Sequence, residues 1–296
     1  MATLAPRVVF VTRETELELL LARHATLEQA RFYLKTRGQD LAELEARHLA
    51  FGAVIANARN AVPADWRQTI VRRADFDRFT FAAEDIIVAV GQDGLIPNVA
   101  KYLSGQPVVG INPAPDRYDG VLVRHHVQQL APLLGHIVKR DVTIEARTMV
   151  EGVLDTGEKL CALNELFIGH RSHQSARYLI TDGKLEEEQS SSGIIVATGT
   201  GATGWARSIM EATHLSIKIR PDEPALAWFV REPFPSVSTS TGMRSGKLAG
   251  KALQITSHMN DGGVVFADGI EQDFLMFDWG KSLSVRPSSI PMNFVV

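Results

Sequence analysis

The stretch Glu84-Asp-Ile-Ile-Val-Ala-Val-Gly-Gln-Asp-Gly-Leu-Ile-Pro-Asn-Val-Ala100 decides the fold. Ile86 to Val90 contains no polar residue, the composition of a strand covered on both faces in a parallel sheet. Gly91 and Gly94 mark a turn, and Pro97 suits the first turn of a following helix, where a missing N–H costs nothing. Val99, Ala100 and Leu103 give that helix an inner face. Asp93 therefore stands at the carboxyl end of a strand and near the amino end of a helix, where unpaired N–H groups and the helix dipole attract phosphate. An Asp in a glycine-rich turn is also an ordinary cap or turn former. The weight given to Asp93 thus depends on the rest of the chain.

Toward the amino terminus, Val8 to Val11 reads as a short buried strand. Glu14 to Arg23, Leu27 to Arg37 and Leu41 to Ala58 follow with apolar residues at helical spacing, and Trp66 to Arg73 reads as a second strand. Toward the carboxyl terminus, Pro107 to Asn112 is a further strand, ending in the polar turn Asn112 to Gly120. Strands alternating with helices predict a parallel sheet. Its carboxyl edge, where open α/β sheets bind ligands, would present Asp93 and Asn112 together. Asn112-Pro113 is also a common turn initiator.

A helix is predicted from about His126 to Leu134, and beyond Ile137 the pattern is β-rich: Asp141 to Val150, Lys159 to Ile168, Ser175 to Thr181 and Gly193 to Thr198. In the first of these, Val142, Ile144, Ala146 and Thr148 are expected to face one way. An antiparallel second domain is predicted. Glu186 to Ser192 is expected to be a solvated hairpin or loop. A buried strand then runs into the alternating glycines and threonines of Thr198 to Gly204 and a helix from about Gly204 to Ala212. Such a loop brings backbone N–H groups close to a phosphate or sugar, although it lacks the lysine and spacing of a Walker A loop. Ala227 to Val230 is a strand in a Pro-rich crossing. Strands return after Ala249, with turns at Asn260 to Gly263, Asp268-Gly269 and Trp279-Gly280.

The 296 residues carry 31 basic and 34 acidic side chains, a formal net charge of -3, which supplies no basic field for holding nucleic acid. The single cysteine, Cys161, lies in an apolar run and suits a reducing, cytoplasmic setting. The amino terminus enters a strand too soon for a signal peptide, and no apolar run approaches the ~20 residues of a membrane span. Nine scattered histidines and one cysteine give no metal-ligand spacing, so no metal site is expected.

Three segments, in order, resemble the NAD kinase family. Its GGDGT motif corresponds to Gly91-Gln-Asp-Gly-Leu95, its Asn-Glu dipeptide to Asn164-Glu165, and its TPTGSTAY loop to Thr198-Gly-Thr-Gly-Ala-Thr-Gly-Trp205. The chain looks most similar to the mitochondrial-type branch, in Phe32-Tyr-Leu-Lys35, in Gly110 to Gly120 and in Ser191-Ser-Gly193. The resemblance runs from about residue 7 to residue 280.

It implies an amino-terminal Rossmann-like α/β domain (1–124), a carboxyl-terminal antiparallel β-sandwich-like domain (125–282) and a tail (283–296) returning to the first. It also implies phosphoryl transfer from ATP, with Mg2+, to the adenosine ribose 2′-hydroxyl of NAD, bound between the domains, and a homodimer. Asp93 would take the hydroxyl proton. Gly91, Gly94, Asn112, Asn164, Glu165, Thr200, Gly201, Thr203 and Trp205 would bind the nucleotides. Two residues depart from the family pattern: Gln92 replaces a glycine, a strain of about 1 kcal/mol if that position has positive φ and a side chain that would crowd the phosphates, and Leu95 replaces a threonine and loses its hydroxyl. They leave open a catalytically silent nucleotide sensor on the same scaffold. A kinase for another hydroxyl is a further alternative, because some lipid kinases share a GGDG turn.

Overall fold

The structure is a computed structural model describing residues 5–296, which divide into two compact units. Of the described residues, the first comprises 5–99, 106–144 and 294–296, and the second comprises 100–105 and 145–293.

In the first unit, strand β1 (Arg7–Thr12) is followed by helices α1 (Glu16–His24), α2 (Leu27–Lys35) and α3 (Leu41–Asn60), then β2 (Arg67–Arg72), β3 (Asp85–Val90), α4 (Leu95–Ala100), β4 (Pro107–Ile111) and α5 (Leu130–Lys139). The side chains of Thr15, Thr26 and Asp40 cap the first three helices by accepting N–H groups of their first turns. The pairs β1 with β2, β1 with β3 and β3 with β4 are all parallel. Every residue of β3 is buried, as its wholly apolar run from Ile86 requires.

Sequence places the boundary of the first domain at residue 124, but α5 contributes Leu130 and Leu134 to the same core as Val8, Phe10 and Val88. The amphipathic helix is held by the apolar face it covers. The tail contributes Phe294–Val296 to this unit. With β5 (Ile144–Arg147) and β18 (Met292–Val295) the sheet has the order β2-β1-β3-β4-β18-β5.

The second unit contains β6 (Val150–Leu154), β7 (Lys159–Ala162), β8 (Glu165–His170), β9 (Ala176–Thr181), β10 (Glu186–Ser191) and β11 (Ile194–Ala197). Helix α6 (Trp205–Thr213) separates these from β12 (Ala225–Val230), β13 (Ser245–Ala249), β14 (Leu253–Ser257), β15 (Gly263–Ala267), β16 (Ile270–Met276) and β17 (Ser282–Pro287). Two sheets result, β10-β9-β14-β17-β6-β7 and β13-β12-β11-β8-β15-β16, with antiparallel pairing throughout. Leu154, Tyr178 and Ile255 of one meet Ile168, Val196 and Trp228 of the other in a shared core, the layering of a β-sandwich.

Three local expectations change. Glu186–Ser191 is an edge strand rather than a loop. It pairs along its length with β9, and the Glu187 carboxylate accepts N–H groups from Gly242 and Met243. Ile144 and Ala146 are exposed whereas Arg147 is buried, its guanidinium 2.7 Å from Glu145, so this strand turns its charged face inward. The run read as one strand from Lys159 to Ile168 is two, and they belong to different sheets. Asn164-Glu165 sits at that change of sheet. Among the described residues no helix is long and apolar enough to cross a membrane.

Candidate functional site

The candidate residues fall into two clusters, one in each unit. In the first, Gly91 follows β3 and its N–H is taken by the Ile111 carbonyl at 3.2 Å. The half-buried Asp93 accepts three successive main-chain N–H groups: Leu122 at 2.8 Å and Val123 at 3.0 Å on Oδ1, and Val121 at 3.0 Å on Oδ2. A carboxylate has about four lone-pair sites, so these bonds leave one on Oδ2. They fix the rotamer and the orientation of that remaining lone pair.

The donors reach Asp93 because the segment from Val121 to His125 runs beside β4, with His125 N–H on the Gly110 carbonyl and Asn112 N–H on the His125 carbonyl. Gly110 makes this crossing possible: a Cβ there would lie 2.3 Å from the Leu122 oxygen. Sequence reading missed Val121, Leu122 and Val123 because they act through the backbone. The available signal was the glycine of Pro107-Val-Val-Gly110.

Asn112 is buried and its side chain is occupied within its own loop. Oδ1 accepts the Ala114 N–H, and Nδ2 donates to the Tyr118 carbonyl, both at 3.0 Å. This is the turn-forming alternative. Gln92 does not have positive φ, so the strain conditional on that conformation is absent. Its side-chain oxygen accepts a hydrogen bond from the Arg13 guanidinium. Leu95 is a core residue, 1% exposed. Gly94 is exposed, with nothing close to where a Cβ would stand.

Beside this turn lies a cavity of about 350 Å³, wholly within the first unit, bordered by Gly91 and Gln92 and by the loops after β1 and β4.

In the second unit, Asn164 and Glu165 are held by Asp268, which sequence reading registered only as part of a turn. Asp268 has φ 50° and accepts the N–H groups of Leu163 at 2.9 Å, Asn164 at 2.8 Å and Glu165 at 3.2 Å. Desolvation outweighs those donors and raises its pKa to about 6. Glu165 is raised further, to about 8, by desolvation and then by the Asp268 charge. Glu165 therefore carries its proton at neutral pH and can donate as well as accept. The ammonium of Lys101, only 1% exposed, pairs with Asp273 at 2.5 Å and draws Asp268 the other way.

The glycine-threonine loop is built onto this corner. Thr198 donates its N–H to the Asn164 carbonyl at 2.9 Å and its hydroxyl to the Leu163 carbonyl at 2.5 Å, and that hydroxyl oxygen accepts the N–H groups of Thr200 and Gly201. Gly201 passes so close to Asn164 that a Cβ would lie 2.1 Å from its oxygen. Asn164, Glu165, Thr200 and Gly201 are thus brought together. Thr203 is exposed and its hydroxyl donates to the Thr200 carbonyl. Trp205 turns elsewhere. Its ring lies parallel to Phe167 at 6.2 Å, with the Arg231 guanidinium over it at 5.1 Å.

Compared with solved structures, the chain has the fold of nicotinamide-nucleotide kinases. An NAD kinase from Archaeoglobus fulgidus, solved with ATP, superposes with a TM-score of 0.58 over 98% of this chain and 93% of that one, at 20% identity. Yeast NADH kinase, solved with NADH, gives 0.59 over 99% and 84%, at 15% identity. In sequence the chain is similar to NAD kinases. It is 30% identical to that of Chlorobaculum tepidum over 127 residues and 36% identical to that of Aromatoleum aromaticum over 135. These matches span 42% and 43% of this chain and 44% of each relative, so the chain matches less than half the length of these curated relatives. No family model matches it.

Proposed function

We propose that this chain is an NAD kinase, transferring the terminal phosphoryl group of ATP to the adenosine ribose 2′-hydroxyl of NAD to give NADP. The observation that carries the reading is the Asp93 carboxylate, clamped by three amides with one Oδ2 lone pair uncommitted. Phosphoryl transfer asks the protein chiefly for positioning and for one acid to orient the attacking hydroxyl. In the proposed step the 2′-oxygen bonds to the terminal phosphorus of ATP, the bond from that phosphorus to the ADP oxygen breaks, and the hydroxyl proton passes to Asp93.

Magnesium enters as part of the MgATP substrate, held by phosphates and water, which suits a turn offering a single carboxylate. Asn164 and Glu165 hold the adenosine, neutral Glu165 donating a hydrogen bond that an ionised carboxylate could not. Thr200, Gly201 and Thr203 shape the loop along the ribose. Gly91 and Gly94 keep the turn open to phosphate, while Asn112 and Trp205 support the site from their packed positions. Gln92 lacks positive φ, so backbone strain does not argue for a silent sensor there, while its side chain and Leu95 remain the grounds for that alternative. The reading includes a homodimer in a cytoplasmic setting; sedimentation giving the monomer mass would remove the first part.

The test is purified protein with NAD and MgATP. NADP and ADP are expected in equal amounts, and almost none from Asp93→Asn. A folded wild-type protein that makes no NADP, or an Asp93→Asn variant as active as wild type, would overturn the proposal.

A further inference from the structure

Lys101 is the first residue after α4, and its ammonium turns inward. Lysine ordinarily buries its aliphatic stem and leaves the charged head in water. This side chain is only 1% exposed, and its nitrogen lies 2.5 Å from a carboxylate oxygen of Asp273 on β16. The hydroxyl of Tyr102 donates to the same oxygen at 2.6 Å, and the Tyr102 ring lies 5.0 Å from the ammonium. Lys101, Tyr102, Asp273, Asp268 and the Asn164-Glu165 corner all belong to the second unit.

Three carboxyl groups share this one cation. Asp273 is partly exposed and has the Tyr102 hydroxyl, so water and a neutral donor can meet most of its needs. Asp268, in the turn between β15 and β16, is desolvated and spends its oxygens on the N–H groups of Leu163, Asn164 and Glu165. Against desolvation, the three amides and then the Lys101 ammonium favour its ionised form. An ionised carboxylate accepts those N–H groups in charge-assisted bonds, roughly twice as strong as neutral ones, whereas a proton on either oxygen would turn an acceptor into a donor. The grip on residues 163 to 165 thus depends on the ammonium. Stability alone does not call for a lysine here, because well-packed apolar residues often replace a buried ion pair without loss.

We infer that Lys101 is a positioning residue for the acceptor: its ammonium is the counter-charge that keeps Asp268 gripping the amides of residues 163 to 165, and so presents Asn164 and Glu165 to the adenosine of NAD. The inference rests on the phosphotransferase reading and adds to it the residue that sets acceptor affinity. Without Lys101, Asp268 faces Asp273 and Glu165 with no cation among them. It then takes up a proton at higher pH, and the corner loosens.

The test compares wild type, Lys101→Met, Lys101→Gln, Asp268→Asn and the double variant carrying Lys101→Met with Asp268→Asn. NAD affinity is read by calorimetry from pH 5 to pH 9, and the KM for NAD and kcat by NADP formation. Each folded neutral variant at position 101 is expected to bind NAD about tenfold more weakly at pH 7, the KM rising to match while kcat stays within about twofold. The acid limb of NAD binding, which follows protonation of Asp268, should move up by about one pH unit. In the Asp268→Asn background, Lys101→Met should change neither quantity further. Unchanged NAD affinity in the folded neutral variants overturns the inference. So does an acid limb that stays in place, or a loss of affinity that persists undiminished in the Asp268→Asn background, since either would make the lysine a structural residue only. Binding is read apart from turnover. Wild type that binds NAD but makes no NADP sinks the kinase reading, and the expected loss in the Lys101 variants then leaves the positioning role standing for a dinucleotide-binding protein. Wild type that binds no NAD overturns both.

Discussion

In the first unit Asp93 accepts N–H groups from three successive residues, two on Oδ1 and one on Oδ2; in the second unit Asp268 does the same in the same two-and-one pattern. Their settings differ. Asp93 leaves a parallel strand, reaches a segment 28 to 30 positions further along, and borders the turn that lines a cavity. Asp268 occupies a left-handed turn between two antiparallel strands, is desolvated, and pushes a neighbouring glutamate toward its neutral form. One arrangement of amides can thus orient a carboxylate for chemistry or tie down a corner, and the surroundings decide which.

The largest expected effect separates the two by kinetics. Asp93→Asn should lower kcat by about 10²–10⁴-fold, the range of a general base. Its stability should fall by only about 1–3 kcal/mol, because one N–H then faces an NH2 group. Equal kcat losses in Asp93→Asn and Asp268→Asn, measured on folded proteins, would erase the distinction.

Asp268→Asn is expected to act on stability and on the acceptor side. A loss of about 1–3 kcal/mol follows from leaving one amide of the Leu163–Glu165 corner poorly paired. The melting midpoint should drop by several degrees, at roughly 2–4 °C per kcal/mol, and the KM for NAD should rise more than kcat falls.

A smaller effect should appear only as pH changes. Glu165 has a folded pKa of about 8, above its ordinary value of 4.5. The stability tied to its protonated form is therefore complete below about 4.5 and is lost as pH rises through 8. Glu165→Gln cannot ionise, so melting scans should show wild type losing ground to this variant from pH 5 to pH 9. The KM for NAD should climb above pH 8 in wild type and stay flat in the variant. Parallel curves would mean that Glu165 is ionised throughout.

Gln92→Gly should do least. Without positive φ at this position there is no strain to relieve, and added chain entropy opposes the change, so stability should shift by under about 1 kcal/mol. A midpoint several degrees higher in the variant would reveal strain that the backbone angles do not contain.

Much of the architecture could be read from the residues. The apolar run before Gly91 announced a covered parallel strand, and α1 to α3 followed their helical spacing closely. The second unit was legible as β-rich but not as two sheets: Asn164-Glu165, residue types that strands disfavour, interrupt Lys159 to Ile168, but composition does not say that the strands on either side join different sheets. The acidic stretch before Ser192 hid an edge strand, since a strand with one wet side tolerates the charges that suggest a loop. Asp93 and the Asn164-Glu165 dipeptide could be singled out from sequence. Their supports could not, because amides look alike in every residue, and Asp268 lies about a hundred positions from the groups it holds.

The crossing at Gly110 has a consequence for how this chain can change. Because the grip on Asp93 is made of peptide groups, it asks of residues 121 to 123 only a main-chain N–H, which every residue but proline supplies, while burial of Leu122 and Val123 constrains their side chains separately. An alanine scan of those positions would read only side-chain packing. Replacing one peptide link by an ester, which deletes a single N–H and weakens the adjoining carbonyl as an acceptor while leaving the side chains in place, is the perturbation to which that grip would answer.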